Sequence, residues 1–309
     1  MRTLVAFALE LALLNAMCCF SAFAQASTAS KPIEVPFELF HNSVVVQATV
    51  NGKGPFNMLL DTGVDPSVID LNTAKTIGLK FAAAGYQGTG GGTETNLAHE
   101  TRLPLVQLGD LAARNIDATA IDMSKTSAAL GKPIQGVLGY SLLKDRIVQI
   151  DYPKQVVRFY STSPLRTKTH GSNARLTQLT FNYRDDVLAH GVSVNGKPII
   201  ANIDTGDNGS FQLTPAAVAE LGLQTQVANA KISRSVGFNG ATQNREATVK
   251  NITVGDVSVD QPNVIFYGKG TGRDDEAWGI RIGNAFLKNF IVTIDYQNKL
   301  ITLENPGDR

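Results

Sequence analysis

The sequence predicts an all-β protein made of two homologous β-rich lobes with short helices, and three observations carry that expectation. VNGKGPFNMLLDTG at 50–63 returns as VNGKPIIANIDTG at 194–206, one residue shorter. VLGYSLLKDRIVQIDY at 137–152 aligns without gaps on RIGNAFLKNFIVTIDY at 281–296. The apolar runs between these anchors are short, β-branched or aromatic and bounded by turn residues, which is the patterning of strands in a duplicated fold.

Residues 1–24 read MRTLVAFALELALLNAMCCFSAFA: an early Arg2, an apolar stretch, then Ala22-Phe23-Ala24 in a small-x-small arrangement. This is the pattern of a signal peptide cleaved after Ala24, and it implies a periplasmic or secreted protein. Glu10 leaves the stretch short of a comfortable span, and no later segment reads as transmembrane. Cys18 and Cys19 both lie in this leader, so the mature chain is expected to fold without disulfides.

In the first lobe, about 35–163, VVVQATV and FNMLL read as strands joined at Asn51-Gly52. The second lobe, 170–305, repeats the device at Asn195-Gly196. A helix follows each Asp-Thr-Gly segment. In LTPAAVAELGL, Thr214 reads as the N-cap, Pro215 as the first helical residue and Gly222 as the C-terminal stop, and DLNTAKTIGLK repeats the design with Asn72 and Gly78. GYQG at 85–88 echoes GFNG at 237–240, and QLGDL at 107–111 echoes TVGDV at 253–257. A linker at 164–169, within STSPLRTKTHGSNAR, joins the lobes.

Lys plus Arg number 28 against 27 Asp plus Glu, a net charge of +1, so no global field selects nucleic acid or an anionic membrane. His41, His99, His170 and His190 are scattered without metal-ligand spacing, and GTGGG lacks the Lys-Ser/Thr of a phosphate loop. Neither a metal nor a cofactor is expected.

Two copies of one unit related by a pseudo-two-fold axis bring equivalent residues face to face, which makes Asp61 and Asp204 natural partners. Carboxyls held a few ångströms apart do not both ionise easily, so one keeps a proton while the other stays charged. Such a pair is a ready acid and base, able to activate water against a peptide carbonyl. Gly63 and Gly206 admit close backbone approach, and Thr62 and Thr205 can brace the two loops across the axis.

These paired apolar-Asp-Thr-Gly segments, with the later GVLGYSLL and GIRIGNAFL, resemble a retropepsin-like or pepsin-like aspartic protease with both lobes in one polypeptide. The resemblance covers nearly all of the mature chain. It implies a bilobal acid-protease fold with a central cleft, catalytic Asp61 and Asp204, a peptide or protein substrate, and a monomer carrying its pseudo-two-fold internally. It also implies a glycine element crossing beneath each catalytic loop and a hairpin flap. The flap candidate is GYQGTGGGTETN, residues 85–96, with Gly85, Tyr86, Gly88, Gly90, Gly91 and Gly92, and GFNGATQN with Phe238 is its shorter counterpart. Tyr86 and Phe238 either lean over substrate or pack in the core.

Three residues depart from the family pattern. Val64 and Asp207 follow Asp-Thr-Gly where pepsin-like members carry Ser or Thr, and Arg281 stands where the first lobe has Val137. Asp207 is expected either to repel the catalytic charge or to point to solvent, and Arg281 to change the packing of its crossing element. With Val64 unable to donate and Asp207 adding charge, the pair is expected to titrate less acidically than in pepsin-like relatives. The alternatives are an inactive peptide-binding module disabled by Asp207, and a structural role in envelope assembly.

Overall fold

The computed structural model describes residues 31–88, 94–161, 176–237 and 239–308. The expected leader at 1–24 and linker at 164–169 lie outside the described residues. Within 31–308 the architecture is two mostly β lobes carried on one shared sheet.

The shared sheet is antiparallel and takes three strands from each half. Its order is Ile33–Phe40, Val156–Tyr160, Ile147–Asp151, Ile291–Asp295, Leu300–Glu304 and Leu176–Arg184. At its centre Gln149 faces Thr293, flanked by Ile150 opposite Val292 and Val148 opposite Ile294. Gln149 and Thr293 are equivalent positions of the repeat, so the pseudo-two-fold axis passes between them. Gln149 Nε2 donates to Thr293 Oγ1 at 3.0 Å inside the protein. Each outer strand then bends into its own lobe, where Phe37–Phe40 pairs with Ser43–Val46 and Phe181–Arg184 with Asp186–Ala189.

Both Asn-Gly pairs turn hairpins with positive φ at both residues, +51° and +73° at Asn51-Gly52 and +52° and +78° at Asn195-Gly196. That is the turn whose twist matches its flanking strands. Helix Pro215–Leu221 has Thr214 accepting from Ala217 N–H and Gly222 closing it at φ +74°. Helix Leu71–Thr76 differs from expectation at its start. Its cap is Asp70, whose carboxylate accepts from the Thr73 N–H, because Asn72 already lies inside the first turn. Lys144 and Lys288 each cap the C-terminus of the four-residue helix after the crossing glycine.

One apolar core runs through both lobes and the shared sheet. A second, separate cluster exists in the first lobe, built on Val45, Leu59, Val68, Ile121 and Val137. No helix among the described residues is long and apolar enough to cross a membrane.

Candidate active site

Each Asp-Thr-Gly loop leaves a buried strand whose end is held by the crossing element. Leu60 pairs in parallel with Leu138, and Ile203 with Ile282. Asp61 N–H donates to Leu138 O and Asp204 N–H to Ile282 O, both at 3.0 Å. Beyond the crossing glycines, Tyr140 N–H donates to Val64 O at 2.9 Å and Asn284 N–H to Asp207 O at 2.8 Å. A Cβ on Gly283 would lie 2.6 Å from Gly209 O, so only glycine admits this approach. Arg281 therefore leaves the backbone packing of its element equivalent to that of the first lobe, contrary to expectation.

The threonines interlock across the axis. Thr62 Oγ1 donates to Ile203 O at 2.6 Å and accepts from Thr205 N–H at 3.1 Å. Thr205 Oγ1 donates to Leu60 O at 2.9 Å and accepts from Thr62 N–H at 3.1 Å. All four bonds are buried, where an unmade partner is costly. Below the second loop, Asn284 Nδ2 donates to Thr205 O and Tyr152 Oη donates to Asn284 Oδ1, each at 2.6 Å.

This grip brings Asp61 and Asp204 together, buried and within hydrogen-bonding reach of each other. Gly63 N–H donates to Asp61 Oδ1 at 2.7 Å, and Gly206 N–H to Asp204 Oδ1 at 2.8 Å. Each glycine also lies against the opposite aspartate: a Cβ on Gly63 would sit 2.7 Å from Asp204 Cγ, and one on Gly206 would collide with the Asp61 carboxyl. Burial and then the neighbouring Asp204 charge push the Asp61 carboxyl well above the usual carboxylate range.

The two lobes differ most beside this pair. In the first lobe Leu59, Val137 and Val68 lie side by side on adjacent strands, an apolar row within the separate cluster. The equivalent row in the second lobe is Asn202, Arg281 and Gln212. Arg281 is buried, with Nε 3.0 Å from Asp204 Oδ2 and a terminal nitrogen 3.9 Å from Asp207 Oδ2. The Nε–H is not aimed along the shorter line, so the contact with Asp204 is electrostatic rather than a directed hydrogen bond. The Arg281 guanidinium lies 4.7 Å from the centre of the Trp278 ring, and it donates to Tyr267 Oη at 3.4 Å.

Asp207 neither points to solvent nor stands uncompensated. Its Oδ1 accepts from Gly209 N–H at 2.6 Å and Gln212 Nε2 at 2.5 Å, and Gln212 Oε1 accepts from Tyr267 Oη. Burial raises the Asp207 carboxyl above its ordinary value, with Arg281 opposing the rise. Asp186 accepts from Trp278 Nε1 at 3.1 Å and from Asn202 Nδ2 at 2.9 Å. Burial pushes Asp186 up to about 6, again against Arg281. Sequence reasoning treated Asp207 and Arg281 as separate anomalies and missed Gln212, Tyr267, Trp278 and Asp186. The readable signal was a base, Arg281, set between the buried apolar residues Ile280 and Ile282, with an acid, Asp207, following Asp-Thr-Gly in the same half.

Of the flap candidates, Gly90, Gly91, Gly92 and Phe238 lie outside the described residues. Tyr86 is 43% exposed, its hydroxyl hydrogen-bonded to Thr119 Oγ1 at 2.8 Å, and is not a core residue. Among the described residues, Lys231–Gly237 pairs with Gly240–Thr248 over seven positions in the second lobe, and Tyr86–Gln87 pairs with Leu97 and Ala98 in the first. The two segments touch. Glu94 N–H donates to Asn239 O at 2.8 Å, and Asn239 Nδ2 to Gly88 O at 3.1 Å.

The aspartyl protease family model matches the chain twice, over residues 46–142 and 191–283. Each match holds one Asp-Thr-Gly loop and its crossing glycine, Gly139 or Gly283. The two spans make up more than half of the chain, which belongs to the aspartyl protease family as a two-lobed, retropepsin-like member. Comparison with curated proteins returns no match.

Thr62→Val strands the Thr205 N–H and the Ile203 carbonyl, and is expected to lower unfolding free energy by about 2–4 kcal/mol in urea titration. The raised carboxyls at Asp61, Asp186 and Asp207 bind protons more tightly folded than unfolded, so their contribution to stability is complete in acid and is lost as pH rises through the folded values. Asp186→Asn is expected to flatten the fall of the thermal midpoint between about pH 4 and 6. The amide is accommodated because Asn202 Oδ1 is buried without a partner among the described residues and can face it after the Asn202 amide turns over.

Proposed function

We propose that the protein is an aspartic endopeptidase, hydrolysing peptide bonds with a water activated by Asp61 and Asp204. The observation that carries this reading is the mutual approach of the two carboxyls across the threonine grip. With one proton between them, the ionised carboxyl takes a proton from water as its oxygen attacks the peptide carbonyl carbon. The protonated carboxyl gives its proton to the carbonyl oxygen. Collapse of the tetrahedral adduct breaks the C–N bond: the leaving nitrogen takes a proton from the protonated carboxyl, and a hydroxyl of the adduct returns one to the other, restoring the shared proton. Thr62, Gly63, Thr205 and Gly206 hold the two carboxyls for this exchange.

The substrate is a peptide in extended form, bound as an added strand beneath the flap segments. Because both aspartates come from one chain, a monomer suffices. The leader-like residues 1–24 support export to the periplasm or the medium, and sequencing the mature N-terminus is expected to find Gln25 first.

A second reading, a peptide-binding protein without catalysis, draws on one observation: a cation resting against Asp204 Oδ2. Incubation with denatured protein or a peptide library, with and without a statine-type inhibitor, separates the two. Cleavage blocked by the inhibitor supports the enzyme, whereas inhibitor binding without cleavage supports the second reading. Asp61→Asn is expected to reduce kcat/KM by about 10⁴-fold or more, and an undiminished rate removes the mechanism. The rate profile is expected to peak above about pH 4, given the burial and charge that raise Asp61.

A further inference from the structure

Resting on the proposed dyad chemistry, the inference concerns which aspartate is the acid and which the base. The two carboxyls receive unequal support. Asp61 accepts one backbone N–H, from Gly63, and Val64, the residue after its glycine, has no donor on its side chain. Asp204 accepts two through the same oxygen, from Gly206 at 2.8 Å and Asp207 at 3.1 Å, while its other oxygen faces Arg281 Nε at 3.0 Å. Hydrogen bonds and a cation both favour the charged form of a carboxyl.

The groups facing the pair from the surrounding elements are Asp186, Asp207, Tyr267 and Arg281 around Asp204, and Tyr296 near Asp61. Glu276 acts on Asp186 and Arg273 on Tyr267, one step further out. Among the described residues, Arg281 is the cation in direct contact with the pair.

Arg281 is itself held by a closed circuit. Its guanidinium reaches Tyr267, Tyr267 donates to Gln212, Gln212 donates to Asp207, and Asp207 returns charge to Arg281. The Trp278 ring packs against the guanidinium. The circuit lies in the second lobe, and in the first Val137 and Val68 stand at the positions of Arg281 and Gln212. Asp207, standing where a hydroxyl donor would serve the aspartate directly, instead helps place a guanidinium that serves it from the neighbouring strand.

We propose that Arg281 is a positioning residue that fixes the division of labour in the dyad, holding Asp204 as the carboxylate that deprotonates water and leaving the shared proton on Asp61. Removing Arg281 alone strands Asp207, so the informative variant removes both charges, Arg281→Met with Asp207→Asn, beside Arg281→Lys, which keeps the cation.

The test has two readouts. In the kcat/KM profile of a cleaved peptide, the acidic limb is expected to move up by about one pH unit or more in the double variant and by less in Arg281→Lys. In carbon NMR of the wild-type protein labelled at aspartate Cγ, with signals assigned through Asp61→Asn and Asp204→Asn, the Asp61 carbon is expected to show the protonated shift while Asp204 shows the ionised one. An unmoved limb in a folded double variant overturns the proposal, as does a protonated Asp204 carbon in the wild type. If the wild type cleaves no peptide, the endopeptidase reading falls, and the carbon shifts alone then decide where the proton resides.

Discussion

Everything at the centre of this molecule depends on the reciprocal bonding of Thr62 and Thr205. Each hydroxyl donates to a carbonyl of the opposite strand and accepts the N–H of the opposite threonine, so neither loop is complete without the other. Buried polar groups tolerate no vacancy at low cost, and the grip therefore fixes the loops in one relation. The carboxyls that follow from it, one per lobe, have no freedom to separate into solvent. Their closeness is paid for by a scaffold in which a six-stranded sheet is shared between the halves, with its axis between Gln149 and Thr293.

On this nearly symmetric frame lies a pronounced difference of chemistry. The backbone pairings around Val137 and Arg281 match residue for residue, yet one side of the dyad is lined by aliphatic side chains and the other by a buried arginine with three acids around it. A symmetric pair of carboxyls has no reason to prefer either proton position. A duplicated chain is free to break that symmetry, because each half can vary alone. Arg281 and Asp207 are the two residues that do so, and they act together: Asp207 anchors Arg281 through Gln212 and Tyr267, and Arg281 opposes the cost of desolvating Asp207.

The hairpin tips show the same freedom at the periphery. The second-lobe hairpin has grown into a regular seven-pair ladder, and its Asn239 bonds to the first-lobe segment through both its side chain and its carbonyl. Glycine content drew attention to the first-lobe segment, but glycine marks where backbone can bend rather than how long a ladder will be. Ladder length was written instead in the alternation of KISRSVG and GATQNREAT, which carries few apolar residues and so gave little signal.

What the sequence by itself determined was the part governed by local rules and by repetition. The two Asn-Gly turns, the Thr214, Pro215 and Gly222 signals of one helix, and the duplicated Asp-Thr-Gly and crossing elements are each encoded within a few residues or by comparison of one half with the other. The tertiary structure decided what depends on distant partners. It chose Asp70 over Asn72 as a cap, turned Asp207 inward, and set Arg281 against Asp204 across 77 positions of chain. The physical reason is that a buried charge is defined by its neighbours. A sequence states that the charge exists, while only packing states which opposite charge lies within 4 Å of it.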